Sequence, residues 1–166
     1  YYATDDPHKP KSHDTGVRVK TGGKPEGDLM IIQGPLSLRW KTRGLIPVPA
    51  IENGDIRASN PPTPARVDSW VKAGIHVKGR PEWVFIKVID SLLGPPVGKM
   101  FEHLEHCYND GDKFQLHYVS AREMYNIVRA AESGEDGNPN LYRDFSVPRP
   151  GYQPSSTPCQ SVDANQ

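Results

Sequence analysis

Trp83-Val84-Phe85-Ile86-Lys87-Val88 is a dense run, β-branched and aromatic, with the character of a strand buried on both faces. The residues beyond it set the expected class of fold. Past the break at Gly94-Pro95-Pro96, residues Val97, Met100, Phe101, Leu104, Cys107 and Tyr108 recur at three- and four-residue spacing, which gathers them on one helical face. Asn109-Asp110-Gly111-Asp112 supplies turn chemistry, and Phe114-Gln115-Leu116-His117-Tyr118-Val119 reads as a second strand. Ser120-Ala121-Arg122-Glu123 has the form of a capping box, in which the serine hydroxyl accepts from the third helical N–H and the glutamate reaches back to the serine N–H. The helix that it opens turns Met124, Ile127, Val128 and Ala131 inward and stops at Gly134. Strand, helix, strand, helix over residues 82–134 argues for an α/β fold with parallel strands and right-handed crossovers.

Working outward, Asp28-Leu29-Met30-Ile31-Ile32-Gln33 reads as a buried strand stopped by Gly34-Pro35, and Leu36-Ser37-Leu38-Arg39-Trp40 as a shorter one. Residues 5–27 are polar and rich in turn formers, with one short strand at Val17 to Val19. Residues 43–62 look like loop, with a tight turn at Asn53-Gly54 between Ile51 and Ile56. Thr63 followed by Pro64 is an N-cap and first-turn proline, opening a helix with Val67, Trp70, Val71 and Ile75 inward and an end near Gly74. Periodicity fades after Tyr142. Residues 1–147 are expected to form one α/β domain, and residues 148–166, rich in proline, serine, glutamine and asparagine, a mobile or disordered tail.

Only 36% of the chain is apolar, and its 17 prolines and 15 glycines require long irregular loops. Its 20 basic and 20 acidic residues cancel, so no field of one sign recommends nucleic acid or an anionic membrane as partner. No apolar run is long enough to span a bilayer, and residues 1–6 lack the basic and apolar regions of a signal peptide, reading instead as the interior of a longer sequence. Cys107 falls on the expected apolar helix face and Cys159 in the polar tail, which disfavours a disulfide framework and leaves the compartment open.

Residues able to carry chemistry fall into three groups. His8, His13 and Asp14 are weak metal candidates: their spacing suits no helical pair, although in a loop they can converge on zinc, and solvated loop residues are the plainer reading. In a parallel sheet, ligands bind beyond the carboxyl ends of the strands. That places Lys87, Asp90 and Ser91 after one strand and His117, Tyr118, Ser120 and Arg122 around the end of the other, and makes Lys87, Asp90, His117 and Arg122 the candidate substrate-binding residues. Lys87 lies within an apolar run, where a buried ammonium must be paired or lose its proton. For His117 a satisfied structural histidine is the plainer reading, and for Ser120 a helix cap. His103 and His106, with Glu102 and Glu105, fall between the apolar positions and are expected on a solvated face. Trp40, Trp70 and Trp83 are of a type that stacks on sugar rings, but large aromatics in strands and on helix inner faces more often belong to the core. No Gly-x-Ser-x-Gly elbow, phosphate-binding glycine-rich loop with lysine or paired-cysteine zinc pattern occurs, and no catalytic residue is assigned.

Five stretches together resemble the C-terminal half of large bacterial proteins related to polysaccharide deacetylases of the NodB type. They are residues 28–36, Ile51-Glu52-Asn53-Gly54, Arg66-Val67-Asp68-Ser69-Trp70-Val71, residues 79–88 and His117-Tyr118-Val119-Ser120-Ala121-Arg122-Glu123, and the likeness extends from about Pro7 to Phe145. The resemblance implies a partial (β/α) barrel, with a divalent metal such as zinc held by an Asp-His-His set and a carboxylate acting on bound water. It implies a metal-dependent hydrolase acting on acetylated carbohydrate in the cytoplasm or cell envelope of a bacterium. The family's Asp-Asp and His-x-x-x-His motifs belong upstream of the matched part, and Ile89-Asp90-Ser91 stands where a short histidine-bearing loop is expected after Val88. No metal ligand of the family is therefore placed on a numbered residue, and the chain alone is expected to be inactive. Completion would come from the remainder of a longer chain or from a second copy. The alternative is a non-catalytic carbohydrate-binding or scaffolding module.

Overall fold

Residues 37–52 form the most extensively paired sheet among the described residues, although the sequence marks only their first part as strand. A computed structural model describes residues 1–90 and 94–151. β1 (Ser37–Arg43) and β2 (Ile46–Glu52) are antiparallel, in a continuous register from Ser37 opposite Glu52 to Arg43 opposite Ile46. Gly44, with φ +66°, takes the first of the two loop positions, the place at which a type II′ hairpin turn needs a positive φ. Pro47 and Pro49 are two apart in β2, so the N–H groups they lack belong to one edge, and the unbroken ladder puts that edge away from β1. These prolines, turn formers elsewhere, hide β2 in the sequence.

β3 (Asp55–Ile56) comes directly after and pairs in parallel with β4 (Ile89–Asp90). Between them lies α1 (Pro64–Ala73), capped as expected: Thr63 Oγ1 accepts from the Arg66 N–H at 3.4 Å, and Gly74 ends the helix with φ +58°. α2 (Pro95–Tyr108) opens on its two prolines, and α3 (Ala121–Ser133) on the complete capping box of Ser120 and Glu123, with Gly134 ending it at φ +94°. A short 3-10 turn at Pro139–Tyr142 packs on α3. None of the helices among the described residues is long and apolar enough to cross a membrane.

This is not a parallel (β/α) barrel, partial or whole. The described residues contain two two-stranded sheets, and their parallel pairing amounts to the short β3–β4 ladder and a single bridge between Lys20 and Lys78. The expected strand at residues 83–88 has no ladder; the Phe85 N–H reaches one carbonyl, Ile75, at 2.7 Å. The run at residues 114–119 likewise pairs with nothing as a strand. Residues 28–33 and 17–19 contribute isolated antiparallel bridges, Tyr2 sitting between Val17 and Met30. The physical reason is that an apolar run reports burial and not pairing. Trp83 and Phe85 bury their rings against Ile127, Val128, Ala130 and Ala131 of α3, together with Tyr2, Val19 and Val77. A second cluster joins Ile56, Val67 and Trp70 to Val97 and Met100 of α2.

Three further expectations are corrected. Lys87 is exposed rather than buried, because without a ladder its side of the run meets water. Cys107 is exposed too, because the second half of α2 meets the core through Leu104 and Tyr108 instead. His103 is half-buried instead of solvated, docked against α1. Ser91, Cys159 and all but residues 148–151 of the expected tail lie outside the described residues.

Candidate functional site

Strand alternation divides the hairpin into two faces. Arg39 and Glu52 point inward, where α1 meets them through Arg66. The Glu52 carboxylate accepts from Arg66 Nε and Nη2 at 2.7 and 2.8 Å and from the Gly54 N–H at 2.9 Å, and Arg39 Nε pairs with it at 3.0 Å. Arg66 also donates to the carbonyls of Asn60, Pro61 and Asp55 at 2.6, 2.8 and 2.7 Å, so all five of its guanidinium N–H groups have an acceptor. Its Cζ lies 5.3 Å from the Trp70 ring centroid. Asn60 closes the arrangement, accepting from Arg39 Nη2 at 2.9 Å and donating to the Asp55 carbonyl. Burial works to raise the Glu52 carboxyl, but the Arg66 guanidinium, with the nearby Trp70 indole N–H and the Gly54 N–H, outweighs it and holds it down at about 2.

With the Arg39 and Glu52 end of the inner face clamped to α1, the outer face is left to solvent. It carries Leu38, Trp40, Thr42, Pro47, Pro49 and Ile51, with Leu36 continuing it, and Trp40 is 73% exposed. Leu38 at 81% and Ile51 at 68%, directly opposite one another, extend the apolar surface beside the indole. Single exposed apolar residues need no explanation, but a contiguous apolar face does. Of the three tryptophans, Trp70 and Trp83 are core residues, at 1% and 6% exposed, and Trp40 is not.

The residues singled out in the sequence do not converge on one site. His117 is half-buried with its Nε2 enclosed and unpartnered, and burial, then the charge of Arg143, lowers its affinity for a proton. It lines a 620 Å³ cleft whose walls are the two ladderless runs, residues 82–88 and 115–119, with Met100 and Leu104 of α2 between them. The two segments expected to be strands thus face each other across a hollow. Arg122 is occupied elsewhere, binding the Asp144 carboxylate and the Val147 carbonyl, both at 2.6 Å, and so fastening the segment after the 3-10 turn to α3. Asp90 is placed by its backbone, opposite Ile56. His8 is exposed, and His13 lies 3.9 Å from Asp14 beside a separate 290 Å³ hollow. Among the described residues no group of three or more His, Cys, Asp and Glu side chains is arranged to hold a metal ion.

Sequence reasoning missed the ion pair under the hairpin and the outward direction of Trp40. A signal for the first was present: Arg66 stands four residues before Trp70 on the inward face of α1, where a charge must find a partner. No family model, curated protein or solved structure matches the chain.

Proposed function

We propose that this chain is a non-catalytic carbohydrate-binding module and that the outer face of the β1–β2 hairpin is its contact surface. The observation that carries the reading is the 73% exposed indole of Trp40, set in an apolar strip on a hairpin whose other face is tied to α1 by the Glu52–Arg66 ion pair. An indole presents a large rigid face that stacks on the C–H face of a pyranose with little ordering cost. The strip offers few hydrogen-bonding groups, a composition suited to an extended, acetyl-bearing polysaccharide rather than to a small soluble sugar. Deacetylation of such a polymer by a zinc-dependent hydrolase rests on the resemblance in sequence alone, and no feature of the described residues adds to it.

The test is co-sedimentation of the chain with particulate chitin, with chitosan, and with polystyrene beads as an apolar surface that is not a glycan. Retention on chitin above both controls is expected, and Trp40→Ala should weaken it by about 2 kcal/mol, roughly thirtyfold, as loss of a central aromatic anchor does. Equal retention on polystyrene, or an unaffected Trp40→Ala variant, would refute the assignment. Acetate release, measured in the same samples with and without added zinc, tests the hydrolase reading independently.

A further inference from the structure

On the far side of α1 from the hairpin, α1 and α2 bring together a cysteine, a histidine and an aspartate. Cys107 Sγ lies 3.6 Å from His103 Nδ1, and His103 Nε2 lies 2.7 Å from Asp68 Oδ1. The two contacts use opposite nitrogens of one imidazole. With Nε2–H donating to the carboxylate, Nδ1 carries the free lone pair and faces the thiol, the relation of base to nucleophile. The imidazole is held in place from a second direction: the Tyr108 ring meets it edge to face at 6.1 Å, and the Tyr108 hydroxyl donates to the same Asp68 oxygen at 2.8 Å. His103 and Cys107 are one turn apart on α2, Asp68 comes from α1, and Cys107 is open to solvent.

We propose that Cys107 is a nucleophilic thiol that exchanges with low-molecular-weight disulfides, His103 acting as its base and Asp68 as the residue that positions His103. The Sγ proton passes to His103 Nδ1, and the thiolate attacks one sulfur of the disulfide. A new sulfur–sulfur bond forms at Cys107 as the old one breaks, and the departing thiolate takes the proton back from the imidazolium, leaving a mixed disulfide and one free thiol. One disulfide replaces another, so no outside oxidant is consumed. The setting suits exchange at sulfur and not acyl transfer. Cys107 sits in the last turn of α2, where helix carbonyls, rather than N–H groups, are free, and an acyl oxyanion would meet acceptors.

The chain carrying Cys159→Ser leaves Cys107 as its single thiol. Oxidised glutathione is the probe, and mass spectrometry tracks the mixed disulfide at neutral pH. The folded protein should react roughly tenfold or more faster than the same protein unfolded in urea, because the helped thiol loses its base on unfolding. His103→Gln should abolish that advantage, and Asp68→Asn should reduce it. A rate that rises on unfolding, or folded rates that stay within twofold across the three proteins, would overturn the proposal. The comparison with urea needs no variant, so a misfolded His103→Gln chain does not protect it.

Discussion

Glu52 and Arg66 show how much one residue pair decides. Both side chains are essentially inaccessible, and neither charge has access to water, so each depends on the other. Glu52→Gln is expected to cost about 3–5 kcal/mol in chemical denaturation, the usual penalty for stranding one member of a buried pair. The pair also carries a pH signature. The carboxyl titrates at about 2 when folded against an ordinary 4.5, so its contribution is complete above about pH 4.5 and is lost as the pH falls towards 2. An acid titration of stability should therefore slope downwards through that window and flatten there in Glu52→Gln. Ile51-Glu52-Asn53-Gly54 and Arg66-Val67-Asp68-Ser69-Trp70-Val71 are distinctive words in the sequence, but their meeting is not legible there. Two charges fourteen residues apart share no periodicity, and a proline-rich loop and a helix N-cap must be placed before the contact exists.

At the scale of elements, the sequence is legible wherever the chemistry is local. The helix beginning after Ser120 and ending at Gly134 is correct at both ends, because its cap is a closed exchange between residues three apart. Ser120→Ala removes the acceptor for the Glu123 N–H and should cost about 1 kcal/mol, seen as a lower midpoint in thermal or urea unfolding. The same locality explains α1, with its threonine cap and closing glycine. Strands are where the reading fails. Residues 83–88 and 114–119 have strand composition, but pairing needs a partner whose identity no local pattern encodes, and each instead buries side chains towards helices. Conversely β2, with proline at two of its positions, reads as loop, although alternate prolines are compatible with a strand that has one free edge.

Across the whole molecule, one contact draws the first residues of the chain to α3. The Tyr2 hydroxyl donates to Glu132 Oε2 at 2.6 Å and accepts from Arg129 Nη1 at 2.8 Å, while Arg129 and Glu132 pair directly. Burial and the neighbouring carboxylate together raise the tyrosine's affinity for its proton, so it remains a donor throughout the ordinary pH range. Tyr2→Phe keeps the ring within the larger apolar cluster and deletes only the hydroxyl; a loss of about 1.5–3 kcal/mol is expected by urea unfolding, as for hydrogen bonds to a charged group. Nothing in a local reading could join positions 130 residues apart. The prolines of β2 also govern how one molecule meets another. A two-stranded ribbon with an apolar face would ordinarily recruit identical ribbons edge to edge and seed fibrils. With amide donors missing at Pro47 and Pro49, an incoming strand finds a broken template along the β2 border, so pairing between identical ribbons is left to the border of β1.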